Sequence, residues 1–291
     1  MSKPLVTYLQ QFENADDTLR KYMMHEFAAN GAKYLVLSDT LIKQIMFRPA
    51  LKEMLMAEMS SEGLAFADAH AIFGKYIDLN CPVEAARPEL LARLKLQLII
   101  CASMDIKTIT VHVGNESAYP EYPLEVQFDC IKRSLEEILP FAESLGITIC
   151  IENIWAKINT PERLLMLKEL FPADALGFCY DAGHANLMDK GRFHPESNPF
   201  KLWGDVTPQW DDRILEKMLP HVVNCHIHDN NGVTDEHLLP GAGNIDWQHI
   251  AKLLARAPRL KVIQSEVIPI RANASIKELC DFFNDFPEKY L

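Results

Sequence analysis

Short apolar runs of strand length recur along the whole chain, and between them apolar residues return at helical spacing. The predicted strands cover residues 5–9, 34–38, 65–70, 108–113, 147–153, 176–184, 222–229 and 261–267. The clearest predicted helices cover residues 16–31, 90–105, 127–146, 161–171 and 246–257. Strands that are apolar throughout, rather than alternating, indicate a parallel sheet that is covered on both faces.

This alternation of strands and helices predicts an α/β protein in which crossover helices connect parallel strands. Eight such units in 291 residues fit a closed (β/α)8 TIM barrel, and we expect residues 1–291 to form a single domain. A doubly wound open sheet is the alternative. Against it, no G-x-G-x-x-G segment follows the first strand, and the sequence contains no Walker-type phosphate loop.

The composition of the chain limits its expected cellular compartment and its expected classes of partner. With 29 basic and 40 acidic residues, the net charge is −11, so there is no broad attraction for nucleic acid or for anionic membranes. No uncharged apolar run reaches the roughly 18 residues of a membrane helix, and the N-terminus lacks the apolar core of a signal peptide. The seven cysteines form no CxxC pair. We therefore expect a cytoplasmic protein with reduced, buried thiols and no membrane or nucleic-acid partner.

Residue types that ligate metals stand at the ends of six consecutive predicted strands. In a TIM barrel these ends meet at one rim, where functional residues lie. In chain order the residues are His70, His112, Glu152, Asp181 followed by His184, His226 followed by His228, and Glu266. The loop after the seventh strand adds Asp235 and His237. The sequence therefore predicts a divalent metal ion at the mouth of the barrel.

Each of these residues also has an ordinary structural explanation. A lone histidine such as His70 is more often a hydrogen-bonded core residue, and a lone Glu152 or Glu266 could pair with Lys or Arg. Their coincidence at one rim favours the metal, because unpaired carboxylates at the ends of apolar strands would be costly to bury. A mixed imidazole and carboxylate set suits Zn²⁺, Mn²⁺ or Co²⁺, with Mg²⁺ as an alternative.

Seven short motifs follow one another from the third predicted strand to the eighth. They are HAIFGKYIDLN (70–80), VHVG (111–114), IEN (151–153), DAGHAN (181–186), HIHD (226–229), DEHLLPGAGNIDW (235–247) and SEV (265–267). In their order and spacing they resemble the xylose isomerase-like barrel superfamily, which includes sugar isomerases, sugar epimerases and the DNA-repair endonuclease IV branch. The resemblance implies the TIM-barrel fold and a divalent metal cofactor.

The resemblance also implies roles for individual residues. Glu152, Asp181, His226 and Glu266 match the central metal ligands of the family. His184 matches a residue that contacts substrate in the isomerase and epimerase relatives.

The endonuclease relatives bind three zinc ions, and this chain carries suitable residues for all of them. The positions matching His70 and His112 hold a second ion there, and those matching His184, Asp235 and His237 help to hold a third. The resemblance therefore keeps a multinuclear hydrolase as an alternative.

Other features favour sugar chemistry. DAGHANL has the small residues typical of isomerase-like members, and the first strand leads into QQFENADD, without the Gly-rich His/Ser segment of the repair enzymes. Trp155 could stack on a sugar ring or pack within its loop, and His228 is a second candidate for substrate contact. Relatives usually have Gly-Glu-Gly where this chain has Gly-Ala-Gly at 241–243, so Ala242 removes one carboxylate from the loop.

The sequence therefore predicts a divalent-metal-dependent isomerase or epimerase whose substrate is a sugar or a sugar derivative. In this hypothesis the metal holds adjacent substrate oxygens and stabilises an enediolate. Glu152 and Glu266 exchange a proton with the substrate carbon, and His184 binds or protonates a substrate oxygen. The alternatives are a zinc phosphodiesterase acting at abasic DNA sites and a non-catalytic relative that binds a metal or a sugar.

Residues 187–212 form a long connection that is rich in proline and aromatic residues, including Phe193, Phe200, Trp203 and Trp210. Such loops are typically lids, binding loops or subunit interfaces. We expect this segment to influence substrate choice or to take part in a homo-oligomer contact; a merely packed loop is the alternative.

Overall fold

The computed structural model describes residues 3–12, 15–189 and 209–290, and eight strands lie within these ranges. The strands are β1 (Leu5–Tyr8), β2 (Tyr34–Leu37), β3 (Ala65–His70), β4 (Thr108–Val111), β5 (Thr148–Glu152), β6 (Leu176–Asp181), β7 (Val222–Ile227) and β8 (Val262–Ser265). Each strand is parallel to the next, and β1 pairs with β8, so the sheet closes. The predicted (β/α)8 barrel is confirmed, and the open doubly wound sheet is excluded because the described strands leave no free edge.

The helices surround the barrel on its outside. They are α1 (Asp17–Ala29), α2 (Asp39–Phe47), α3 (Ala50–Ser61), α4 (Arg87–Ser103), α5 (Leu124–Ser144), α6 (Pro161–Leu170), α7 (Ala182–Leu187), α8 (Ile214–Met218), α9 (Trp247–Leu254), α10 (Pro269–Ala272) and α11 (Ile276–Tyr290). Side-chain caps begin several of them; Ser38 Oγ, for example, accepts from the backbone N–H of Leu41 at 3.2 Å.

The main apolar core lies between the barrel and the helices. Tyr8 of β1 packs on Phe27 of α1 and on Phe283 of α11, with ring centroids 5.4 and 6.0 Å apart. Its hydroxyl donates to Asn284 Oδ1 at 2.9 Å. All seven cysteines are free, buried thiols.

Inside the barrel, a small apolar cluster joins Cys150, Cys179 and Val223. Gly177 of β6 makes room for it, because a Cβ at that position would lie 2.4 Å from Val223 Cγ2. The pairing of β6 with β7 shifts register beside this cluster, between Phe178 and Cys179. The interior side chains nearer the rim are mostly polar.

Within the described ranges, no helix is long and apolar enough to cross a bilayer. The predicted lid or interface segment at 187–212 is described only at its ends, where Trp210 is partly exposed. Phe193, Phe200 and Trp203 lie outside the described residues.

Candidate metal centre at the rim of the barrel

Four of the predicted residues meet at one point on the carboxyl side of the barrel. Nδ1 of His226, on β7, lies 3.3 Å from Glu152 Oε1 at the end of β5. The same nitrogen lies 3.5 Å from Asp181 Oδ2 at the end of β6 and 3.1 Å from Glu266 Oε1 just after β8. All four side chains are buried. The geometry thus brings together residues that are up to 114 positions apart in the sequence, as parallel strand ends do.

A second group lies on the other side of Glu152. His112 Nε2 is 2.9 Å and His70 Nε2 is 3.8 Å from Glu152 Oε2. His70 Nδ1 lies 2.9 Å from the carbonyl oxygen of Ala71 and donates to it, so Nε2 is the ring nitrogen that faces Glu152. One ligand atom from each of these three ionisable residues falls within 4.8 Å of the others, close enough to share an ion.

A third group forms around Asp235 in the loop after β7. His237 Nε2 lies 3.0 Å and His184 Nε2 lies 3.7 Å from Asp235 Oδ2. His237 donates through Nδ1 to the carbonyl oxygen of Glu266 at 2.7 Å, which directs its Nε2 at Asp235. His237 also has a backbone φ of +55°, a left-handed conformation that is uncommon for residues other than glycine and clusters at functional sites.

His184 connects the central group to the third. Its Nδ1 lies 3.3 Å from Glu152 Oε1 and 3.6 Å from Asp181 Oδ1. Its backbone N–H donates to Asp181 Oδ1 at 2.6 Å, because Asp181 is also the N-cap of α7. The structure therefore places His184 in contact with the candidate ligands.

The two predicted substrate contacts, Trp155 and His228, lie deeper than the sequence suggested. Trp155 is 1% exposed and packs edge-on against His184 with centroids 4.9 Å apart. His228 is 0% exposed; its Nε2 is 3.2 Å from both Asp181 oxygens, and its ring stacks on His237 at 4.0 Å. Neither ring reaches open space here, so the geometry favours a role in orienting His184, Asp181 and His237 over direct substrate contact.

The buried acids and imidazoles shift one another's pKa. Burial alone would raise the pKa of Glu152, but the rings of His226, His112 and His184 outweigh it and hold that pKa well below its usual value. Burial would lower the pKa of His237, but Asp235 overcomes it and raises that pKa to about 9. Protonated imidazoles thus balance the carboxylates, and a divalent cation can take over that role.

The residues at the rim fit a divalent cation. His226 Nδ1 is fully buried and makes no well-directed hydrogen bond to any described residue, although three carboxylates surround it. An imidazole nitrogen together with carboxylate oxygens is the donor set of Zn²⁺, Mn²⁺ or Co²⁺ sites. Glu152, Asp181, His226 and Glu266 could hold the ion, and Gln264 Nε2 steadies Glu266 Oε1 through a 2.7 Å hydrogen bond.

A further buried acid, Asp229, follows His228 at the end of the seventh predicted strand, and it organises the loop after β7. Asp229 Oδ2 accepts from the Gly241 N–H and from Trp247 Nε1, both at 2.8 Å. Its Oδ1 accepts from the backbone N–H groups of Asn230 at 2.9 Å and Ile245 at 3.3 Å. The sequence signal for this role is an acid that follows the HIH triplet and precedes a Gly-rich, tryptophan-ending loop.

The two glycines of the Gly-Ala-Gly turn are required for different structural reasons. Gly241 has a backbone φ of +94°, and a Cβ at Gly243 would lie 2.3 Å from the carbonyl oxygen of Asn230. Ala242, between them, is exposed. The carboxylate that relatives carry at this position would therefore stand on the surface of the turn rather than among the candidate ligands.

Residues 26–285 match the family model described as xylose isomerase-like TIM barrel. An uncharacterised protein of Methanocaldococcus jannaschii, MJ1311, is 28% identical over 282 residues, which cover 92% of this chain and 84% of that protein. The uncharacterised protein y4fM of Sinorhizobium fredii is 26% identical over 167 residues, or 56% of this chain, and the match spans about half (47%) of its own length.

Solved structures with the same architecture include sugar epimerases. A D-tagatose 3-epimerase-like protein superimposes with a TM-score of 0.72 and 21% identity, covering 98% of both chains. D-psicose 3-epimerase of Clostridium cellulolyticum H10, solved with D-tagatose, gives 0.71 and 14%, and the IolI protein, solved with a zinc atom, gives 0.71 and 17%, each covering 99% of both chains. At these identities the likeness concerns the fold. Together with the match over residues 26–285, the closed barrel shows that this chain belongs to the xylose isomerase-like TIM barrel family.

Proposed function

We propose that this chain is a divalent-metal-dependent isomerase or epimerase that acts on a sugar or a sugar derivative. The observation that carries the proposal is the convergence of three buried carboxylates on Nδ1 of His226. The presence of sugar epimerases among the structures that share this fold supports the choice of substrate class.

In this proposal Glu152, Asp181, His226 and Glu266 hold the cation. When bound, a divalent cation would polarise two adjacent substrate oxygens and lower the cost of the negative charge that an enediolate carries. The chain's own residues then bind the substrate and move the proton.

Glu152 and Glu266 are the proposed proton-transfer groups. They approach His226 from β5 and from beyond β8, so a substrate carbon between them would present a different side to each carboxylate. Glu266 Oε1 is held by Gln264 and His226, which leaves Oε2 as the oxygen outside these two contacts. One carboxylate takes the proton from carbon and the other returns a proton, while His184 donates to a substrate oxygen.

Proton exchange in heavy water tests this proposal. Protein treated with chelator and then reloaded with Zn²⁺, Mn²⁺, Co²⁺ or Mg²⁺ is incubated with a panel of ketoses and aldoses, and deuterium at carbon is measured by mass spectrometry. Exchange should require metal, and E152Q and E266Q should each lower its rate by at least about 10²-fold. The control variant E236Q, in the loop after β7, should retain the wild-type rate. Full exchange in E152Q and E266Q, with native circular dichroism, would contradict the assigned roles.

A zinc phosphodiesterase is the second candidate, and one observation favours it. The groups His70–His112–Glu152 and His228–Asp235–His237 each bring three possible ligand atoms within 4.8 Å, in addition to the central group. A hydrolase of this kind would need three ions, whereas the proposed proton transfer needs one. Metal content per chain, and cleavage of an oligonucleotide with a single abasic site, separate the two functions.

A further inference from the structure

The barrel interior beneath the rim is polar, where a TIM barrel usually packs branched apolar residues. Asp68 on β3, Thr110 on β4 and Asn224 on β7 are fully buried there. Each stands two residues before one of the rim histidines and therefore on the same side of its strand. Buried polar side chains are costly unless they are paired, so this group needs an explanation that the rim residues alone do not supply.

A chain of hydrogen bonds connects these residues to His226. Asn224 Nδ2 donates to Asp68 Oδ2 at 2.7 Å and to Thr110 Oγ1 at 3.2 Å. Thr110 Oγ1 lies 3.3 Å from Nε2 of His226, the ring nitrogen that faces away from the three carboxylates. Thr108 Oγ1 donates to the other oxygen of Asp68, Oδ1, at 2.5 Å, so it lies outside the chain, which passes through Oδ2.

The orientation of the Asn224 amide leaves one buried oxygen atom without a hydrogen bond. Its Oδ1 is buried and has no hydrogen-bond partner among the residues that the structure describes. Turning the amide over would place Oδ1 against the carboxylate of Asp68, so that two acceptors would face each other. Asp68 therefore keeps the amide N–H groups of Asn224 directed at itself and at Thr110, which anchors the Thr110 hydroxyl beside the ring of His226.

A neutral imidazole that binds a cation through Nδ1 keeps its hydrogen on Nε2, and that N–H needs an acceptor inside the barrel. We propose that Thr110, held by Asn224 and Asp68, is a positioning residue that sets the His226 ring for metal binding and accepts its Nε2–H when a cation is bound. The inference rests on the proposed function for the presence of the cation. It adds to that function a set of buried residues that touch neither cation nor substrate.

Two isosteric threonine variants provide a matched test. Thr110→Val and Thr108→Val each remove one buried hydroxyl from β4, so both should lower the melting temperature by similar amounts. The dissociation constant for Zn²⁺, measured by competition with a chromophoric chelator, should rise about 10- to 100-fold in Thr110→Val and change by less than about twofold in Thr108→Val. Thr110→Ser restores the hydroxyl and should restore tight binding.

A spectroscopic readout on the metal-free protein separates the possible results. The ring ¹⁵N signals of His226 should shift in Thr110→Val and stay in place in Thr108→Val. Equal Zn²⁺ affinity and unchanged ring signals in both valine variants would overturn the inference and leave the proposed function intact. Wild-type protein that binds Zn²⁺ but exchanges no proton with any sugar would overturn the proposed function instead. Wild-type protein that binds no Zn²⁺ would overturn both.

Discussion

Replacing the loop-organising acid Asp229 by asparagine should destabilise the protein measurably. The carboxylate accepts four N–H groups, two at each oxygen. Asparagine keeps one oxygen and presents an NH₂ group at the other position, so two donors lose their acceptor whichever way the amide turns. At Oδ1 the Asn230 N–H is buried and the Ile245 N–H is partly exposed. At Oδ2 the Trp247 Nε1–H is buried and the Gly241 N–H is partly exposed.

The magnitude follows from this pairing. A hydrogen bond to a charged acceptor contributes about 1.5–3 kcal/mol, and a buried donor left without a partner loses most of that. The partly exposed donor can bind water instead and loses much less. Both orientations of the amide therefore predict a loss of about 2–3 kcal/mol in the free energy of unfolding of Asp229→Asn.

Urea denaturation measures this loss, and amide hydrogen exchange locates it. Exchange should accelerate at Gly241 and Ile245 while β7 keeps its protection. Glu236→Gln is the matched control, because Glu236 lies in the same loop and its Oε2 accepts two N–H groups of Asn231 at an exposed position. It should change stability by less than about 0.5 kcal/mol. An Asp229→Asn variant as stable as this control would refute the reasoning.

Three further predictions concern the buried groups near the rim. Gly183→Ala would put a Cβ 2.0 Å from Cε1 of His228, whose ring is buried, so Zn²⁺ affinity measured by calorimetry should fall at least about tenfold; unchanged affinity would show that the ring can move. Burial raises the pKa of Asp78 to about 7, above its unfolded value, so its contribution to stability is lost as pH rises from about 4 to 7. In urea denaturation, the free energy of unfolding of Asp78→Asn should therefore exceed that of wild type by about 2–4 kcal/mol at pH 8 and equal it at pH 4. A variant with the same effect at both pH values would contradict the role given to Asp78. Although burial opposes it, Asp235 raises the pKa of His237 to about 9. The contribution of His237 to stability is complete below about pH 6.5 and is lost as pH rises through 9. The melting temperature of chelator-treated protein should therefore fall over that range, and that of His237→Gln should fall less.

The strands and the rim could be predicted from sequence because both depend on local patterns. A parallel strand buried on both faces appears as an unbroken apolar run, and the residue that ends the run lies at the rim. The stretch 147–153, for example, contains β5 and ends near Glu152. Where the strands stop is therefore enough to bring Glu152, Asp181, His226 and Glu266 to one place.

The polar layer beneath the rim could not be predicted in the same way. Asp68 and Asn224 are hydrogen-bonded although 156 positions separate them in the sequence, and the sequence around either residue does not indicate its partner. Period-two alternation does indicate that a residue two positions before a rim ligand lies on the same side of the strand. That rule misses Val223, which also enters the barrel interior where β6 and β7 shift register beside Gly177.

Depth is the other property that the sequence did not give. Trp155 and His228 have the chemistry of substrate contacts, but each is covered by neighbours from other strands and loops. A side chain's distance from the open mouth depends on how those loops cross above it, and motif spacing carries no information about that.

The pairing of β1 with β8 makes barrel closure a condition for assembling the candidate metal centre. Leu5 and Tyr8 pair with Val262 and Ser265, and more than 250 residues of chain separate the two strands, so this contact is slow to form. Glu266 follows directly after β8 and reaches the other three candidate ligands only when β8 has docked. Uptake of a cation by the complete donor set would therefore report that the barrel has closed.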